Sequence, residues 1–239
     1  MKTISSRSNV WFKRVKQALR EHRDEIVIEG PKQVTDAVRA GWKPIAVFHK
    51  TSGLGPRASV EFEFTPELFD SLAETKSPQN VLALFERPKA EARGLRPEAS
   101  ILVALDGVQD PGNVGTIVRL AAAFECAGVV LLPGCADAYS PKAIRASAGT
   151  LLSVPIVNAT IDDLAGMPLY AADARGETSA PPARDAVIVF GSEGGGVSDE
   201  IRRIATSIAI PMSPRVESLN VAMAAAILLS KSYEARHGR

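Results

Sequence analysis

Cysteine is almost missing from this chain, and its scarcity excludes two structural classes. Cys126 and Cys135 are the only thiols, too few for a disulfide framework and without the paired spacing of a zinc site. Both read as buried thiols of a reducing, cytoplasmic compartment. Histidine is equally thin. His22, His49 and His237 stand far apart, so neither a metal cluster nor a histidine-based triad is visible, and no metal is expected. No apolar run approaches the roughly 20 residues of a membrane span. The longest candidate, Leu219 to Leu229, is short and holds Asn220 near its start. The opening segment, MKTISSRSNVWFKRVK, has neither an apolar core nor a cleavage signature, so secretion is not expected. Phosphate fingerprints are missing too: no Gly-x-Gly-x-x-Gly follows a strand, and there is no Walker loop.

What is present is ordinary globular material. The chain has 239 residues, 46% hydrophobic and 23% charged, enough for two modest domains with real cores. Its net charge of +1 hides an asymmetry. Within residues 1–23, Lys2, Arg7, Lys13, Arg14, Lys16, Arg20 and Arg23 face a single acid, Glu21. Such a segment is most often a solvated helix surface, and it supports a nucleic-acid partner only beside other observations.

Periodicity gives the organisation. Residues 8–22 read as an amphipathic helix with Trp11, Val15 and Ala18 on its apolar face. IVIEG (26–30) is a strand; Pro31 then opens a helix with Val34, Ala37 and Val38 inward. PIAVFHK (44–50) and NVLALFE (80–86) are strands, and TPELFDSLAE (65–74) is a helix. Residues 87–99 are charged and proline-bearing, the best linker in the chain. Beyond them ILVALD (101–106) has the continuous apolar character of a parallel strand covered on both faces. A helix follows from about Val114 to Cys126. GVVLLP (128–133), VPIV (154–157), PLYAAD (168–173), AVIVFG (186–191) and SIAIP (207–211) are further strands. PKAIRASAG (141–149) is a short helix, and SDEIRRIA (198–205) is a helix capped by its serine. Ser218 to Arg236 forms the last helix, whose first part is apolar nearly all round and so expected to be buried on every side. The alternation predicts an α/β fold, with domains at residues 1–92 and 100–239.

Three stretches carry candidate chemistry. GSEGGG (191–196) lies between a strand and a helix, where backbone amides can meet a ligand, although a glycine-rich turn is more often only a tight connection. DGVQDPGNVGTIVRLAAAF (106–124) places Arg119 in an otherwise small and apolar helix. It must face solvent, an acid or a ligand. IPMSPRVESLNVAMAAAILL (210–229) joins a strand end, a polar loop with Ser218 and Asn220, and the apolar helix. Ser218 also reads as an ordinary N-cap.

Together, N-x-G-x-I-x-R (Asn113, Gly115, Ile117, Arg119), F-G-S-E-G-x-G (Phe190 to Gly196) and I-P-M with E-S-L-N-V (Ile210 to Met212, Glu217 to Val221) resemble, in order and spacing, the three motifs of the SpoU/TrmH family. These are RNA ribose 2′-O-methyltransferases of the SPOUT superfamily. The resemblance covers residues 100–239. More loosely, residues 1–92 are similar to that family's L30e-like substrate-binding domain. It implies a knotted C-terminal α/β domain with a parallel sheet, which periodicity alone never suggests. Also implied are S-adenosylmethionine as cofactor, a homodimer through the C-terminal domain, and an RNA substrate, ribosomal or transfer RNA, of which the two-domain layout favours the ribosomal. The alternative is an inactive member of the family that only binds RNA. By position, Gly191, Ile210, Leu219 and Met212 are expected at the cofactor. Asn113, Arg119, Glu193, Ser218 and Asn220 are expected around the transferred methyl. Pro214 and Arg215 fill a variable part of the third motif. Because a guanidinium stays protonated at ordinary pH, the expected role of Arg119 is electrostatic: holding phosphate or stabilising alkoxide charge.

Overall fold

The computed structural model describes residues 1–50, 58–73, 78–89, 96–176 and 180–238. The middle of the expected linker, residues 90–95, and Glu74 at the end of the helix expected over 65–74 lie outside them. The chain forms two units: Met1–Pro88 with Tyr139–Ile144, and Lys89–Ala138 with Arg145–Arg239. Tyr139–Ile144, read from sequence within the second domain, therefore clusters with the first unit.

In the first unit, strands β1 (Lys2–Ile4), β2 (Glu25–Glu29), β3 (Pro44–His49), β4 (Glu61–Phe64) and β5 (Val81–Glu86) form a mixed sheet ordered β1-β4-β3-β5-β2. The period of two along each strand decides what lies on either face. Val27, Phe48, Phe64, Leu82 and Leu84 meet helix α1 (Val10–Glu21) through Phe12, Val15 and Ala18, and helix α3 (Pro66–Asp70) through Leu68 and Phe69. Trp11, expected in that core, is only half-buried at its edge, and Phe12 takes the central place. Helix α2 (Pro31–Arg39) packs on β2 and β5 with Val34 and Ala37 buried. Val38, expected inward, is exposed because its position lies beyond the buried stripe.

The second unit is built on six parallel strands ordered β11-β9-β10-β6-β7-β8. They are β6 (Ile101–Asp106), β7 (Gly128–Leu131), β8 (Ile156–Asn158), β9 (Leu169–Ala172), β10 (Ala186–Gly191) and β11 (Thr206–Ile208). The central pair, β6 and β10, is apolar and fully buried along most of its length, as a sheet covered on both faces requires. Helix α4 (Pro111–Ala123) packs against helix α7 (Val221–His237). Helix α6 (Asp199–Ile204) adds Ile201 to the core on the face carrying Leu102, Ala104, Val187 and Val189. Helix α5 (Pro141–Ala146) is the short helix between β7 and β8. Arg236, near the end of α7, donates to the carbonyl of Phe124 at 2.7 Å and to Ser100 Oγ at 3.0 Å. It thus satisfies a carbonyl left open at the end of α4.

Two helix boundaries differ from those read in the sequence. Asp110 caps α4 by accepting from Gly112 N and Asn113 N, so this helix begins at Pro111 and Asn113 falls in its first turn. Asn220, not Ser218, caps α7, accepting from Ala222 N at 2.9 Å and Met223 N at 3.3 Å. Nor is α7 buried on every side: Met223 is 64% exposed. Cys126 and Cys135 are half-buried free thiols, and burial pushes the Cys126 thiol up to about 12. No described helix is long and apolar enough to cross a membrane.

Candidate active site

Parallel sheets open their ligand crevices at the carboxyl ends of the strands, where the strand order reverses. Here β6 is followed outward by β7 and β8, while β10 is flanked by β9 and β11 on its other side. The reversal lies between β6 and β10, and the register pairs Asp106 with Gly191 at their ends.

The chain turns sharply after Gly191. Ser192 and Gly196 exchange backbone hydrogen bonds of 2.9 and 3.0 Å, closing the glycine-rich turn on itself. A Cβ on Gly191 would stand 1.9 Å from the carbonyl carbon of Gly196, so only glycine fits the crossing. The turn is anchored to β6, because Ser198 N donates to Asp106 Oδ2 at 2.6 Å. The same serine caps α6 through its Oγ.

Over the ends of β9, β10 and β11 lies a cavity of about 320 Å³. Ile208, Ile210, Met212, Leu219, Val221 and Leu228 supply its apolar lining. The backbone from Gly191 to Gly196 forms another wall, and Glu193, Glu217 and Ser218 bring polar groups. All four residues expected at the cofactor, Gly191, Ile210, Leu219 and Met212, line it, as do Glu193 and Ser218 from the expected reaction set.

Asn113 and Asn220 are not among the lining residues, yet they are tied to one that is. Asn220 Nδ2 donates to Asn113 Oδ1 at 3.2 Å, and Asn113 Nδ2 donates to Glu193 Oε1 at 2.7 Å. One side chain from each motif thus joins a single polar chain, although Asn113 and Asn220 stand 107 positions apart in sequence. Desolvation pushes the Glu193 carboxyl up. The bonds from Asn113 and from the backbone of Glu193, Gln109 and Asp110 outweigh it and hold the group below the usual glutamate range. Arg119 behaves differently. It is exposed on α4, does not line the cavity, and has no ion pair or hydrogen bond among the described residues.

Sequence reasoning passed over Asp173 and Arg202, which also line the cavity. Asp173 Oδ1 accepts from Arg175 N at 2.9 Å, and its Oδ2 accepts from Arg202 Nε at 3.3 Å. That backbone bond, outweighing desolvation together with the charges of Arg175 and Arg202, holds Asp173 below its usual range. Arg202 also reaches Asp199 Oδ1 at 2.8 Å and the Val197 carbonyl at 3.2 Å. The one available signal was an acid at the end of a strand, since that is where ligands meet parallel sheets.

Comparison with known proteins decides the family. The model of the SpoU rRNA Methylase family matches residues 100–230. The chain belongs to this family. A 23S rRNA (guanosine(2553)-2′-O)-methyltransferase of Bacillus subtilis, RlmP, is 29% identical, over 96% of this chain and 98% of its own length. An uncharacterised tRNA/rRNA methyltransferase of Synechocystis sp. is 35% identical over 71% of this chain, which spans 65% of that relative. Among solved structures, an AdoMet-bound rRNA methyltransferase from Sinorhizobium meliloti superposes with a TM-score of 0.88 at 28% identity, covering 98% of both chains.

The SpoU cofactor, S-adenosylmethionine, fits what the residues offer. A cavity near the lower end of the ordinary range for small-molecule sites, roughly 300–1,000 Å³, suits a nucleoside-sized ligand. The apolar walls suit an adenine, the glycine turn offers backbone groups at close range, and the lining residues Glu193 and Glu217 bring negative charge suited to a cationic ligand. Among the described residues no cluster of histidine, cysteine or acidic groups is placed to hold a metal.

Proposed function

We propose that this chain methylates a ribose 2′-hydroxyl of ribosomal RNA, working in the cytoplasm as a homodimer. The observation that carries the reading is a cavity walled by the second and third motifs, to which the first motif is tied by a polar chain linking Glu193, Asn113 and Asn220. The ribosomal target rests on the full-length similarity to RlmP, whose substrate is 23S rRNA. We assign residues 1–92 as the L30e-like substrate-binding domain and residues 100–239 as the transfer domain. The third motif, from Ile210 to Val221, would form part of a trefoil knot.

When bound, S-adenosylmethionine supplies an electrophilic methyl group, so the protein's task is to place one oxygen in line with it and accommodate its charge. Gly191, Ile210, Leu219 and Met212, which line the cavity, would hold its nucleoside. Glu193, ionised, fixes Asn113, and Asn113 in turn orients Asn220 and the segment bearing Ser218 at the cavity. Arg119 supplies positive charge to phosphate or to the developing alkoxide. Its exposure and its lack of a partner among the described residues suit delivery to the site of a second copy. Met223, exposed beside the half-buried Ala226 and Ile227, supplies an apolar patch on α7 for that contact.

The test is transfer of tritium from labelled S-adenosylmethionine to protein-free ribosomal RNA and to transfer RNA, followed by mapping of ribose methylation. Label in a ribosomal 2′-O-methyl group is expected. Label confined to transfer RNA would overturn the target, and base methylation would overturn the reaction.

A further inference from the structure

Helix α1 has two unlike faces. Phe12, Val15 and Ala18 are buried in the first unit's core, which fixes the side turned outward. On that side Lys13, Lys16 and Arg20 are exposed, with Arg7 before the helix and Arg23 after it. Lys13 and Lys16 make no ion pair among the described residues. Arg20 has only Glu21, at 3.4 Å, and its side chain remains 81% exposed. Arg14 is different: its guanidinium is committed to Glu25, so it belongs to the fold.

Several other cations of this unit are paired, while Lys2 and Lys43 stand exposed as scattered single charges. Lys32 pairs with Asp36 at 2.7 Å, Arg39 lies 3.9 Å from the same acid, and Lys50 pairs with Asp70 at 2.6 Å. Among the described residues of this unit, uncompensated positive charge is therefore densest on the outer face of α1 and its flanks. Like charges at such spacing repel and weaken a helix slightly, a cost that a polyanionic partner removes. Seven residues of helix separate Lys13 from Arg20, about 10 Å of axis, close to the rise of three stacked nucleotides at about 3.4 Å each.

We propose that Lys13, Lys16 and Arg20, on the outer face of α1, form a docking surface for the phosphate backbone of RNA. The proposal rests on the chain acting on RNA, and it adds where the strand is gripped outside the cavity. A membrane surface fits less well, because the apolar face of this helix is already occupied by core and an interfacial helix needs that face free. Phosphate contacts carry no sequence information, so the surface supplies affinity and leaves the choice of nucleotide to the other unit.

The experiment compares Lys13→Gln/Lys16→Gln/Arg20→Gln with a control removing three cations elsewhere in the unit, Lys32→Gln/Arg39→Gln/Lys43→Gln. Binding of poly(U) and protein-free ribosomal RNA is measured against salt. Loss of three phosphate contacts should reduce the slope of log affinity on log salt by about 2, at roughly 0.7 per single-strand contact. KM for RNA should rise at least about tenfold at near-physiological salt, while kcat at saturating RNA and the affinity for S-adenosylmethionine stay unchanged. The control should change the slope by less than half as much. Lys16→Gln alone should lower it by about 0.7. An unchanged slope in the α1 variant, or an equal change in the control, overturns the proposal. Binding is read without turnover, so the methyl-transfer assignment stands or falls separately.

Discussion

Two glycines three positions apart meet opposite constraints. A Cβ on Gly191 would collide with the backbone of Gly196 and Val197 at 1.9 and 2.1 Å, whereas one on Gly194 would meet nothing within 4 Å. Backbone cannot yield as a flexible side chain can, so Gly191→Ala must open the turn that walls the cavity. We expect that substitution to cost about 2–3 kcal/mol of stability and to abolish measurable cofactor binding in calorimetry. Gly194→Ala should leave the melting temperature within about a degree of the parent. Equal melting temperatures for the two variants would show that the crossing at Gly191 is looser than its geometry states.

Loops wall the cavity, and what holds them is an element. Arg202, on α6, bonds at once to Asp173 beyond β9, to Asp199 in its own helix, and to the Val197 carbonyl after the glycine turn. It ties two cavity walls together as a positioning residue. With its side chain 34% exposed, solvent screens much of the ion pairing. Removing it should therefore weaken cofactor binding by about 1 kcal/mol, roughly fivefold, with kcat at saturating cofactor nearly unchanged. Arg202→Lys should recover part of the loss, since it keeps the charge but not the three-way fork. A fall in kcat with unaltered cofactor affinity would refute this role.

The same level shows how far sequence reading reached. Strands β6 and β10 were legible because both faces are covered, which leaves an unbroken apolar run that no helix period mimics. Strand β4 alternates Phe62 and Phe64 with Glu61 and Glu63, yet four residues are too short to stand out. Strand β1 is defined mainly by its parallel pairing with β4. The α7 cap was misplaced because Ser218 and Asn220 are equally good caps in isolation. The bond from Asn220 to Asn113 belongs to the fold, where no local rule reaches it. The four cofactor positions came from the motif resemblance, whereas Arg202 resembles any solvated helix arginine until Asp173 appears beside it.

Over the whole molecule, Arg119 poses the remaining question. Within one chain it faces outward and lines no part of the cavity, so among the described residues of a single copy nothing takes up its charge. A homodimer resolves this if each arginine serves the other copy's site, and complementation separates the arrangements. Arg119→Ala keeps an intact cavity. Gly194→Trp keeps Arg119 but should fill the cavity from a position with open space around its Cβ. Each variant alone should be inactive. If the arginine acts across the interface, a mixed dimer regains one working site, the intact cavity of the first copy joined to the arginine of the second. Random mixing makes about half of the dimers mixed, each with one of two sites working, so about a quarter of parental activity should return. If the arginine acts within its own chain, neither site of the mixed dimer is complete and the mixture stays inactive. Sedimentation run alongside should find the mixture dimeric, and Met223→Glu, placing a charge on the exposed patch of α7, should shift it to monomer and abolish the recovery.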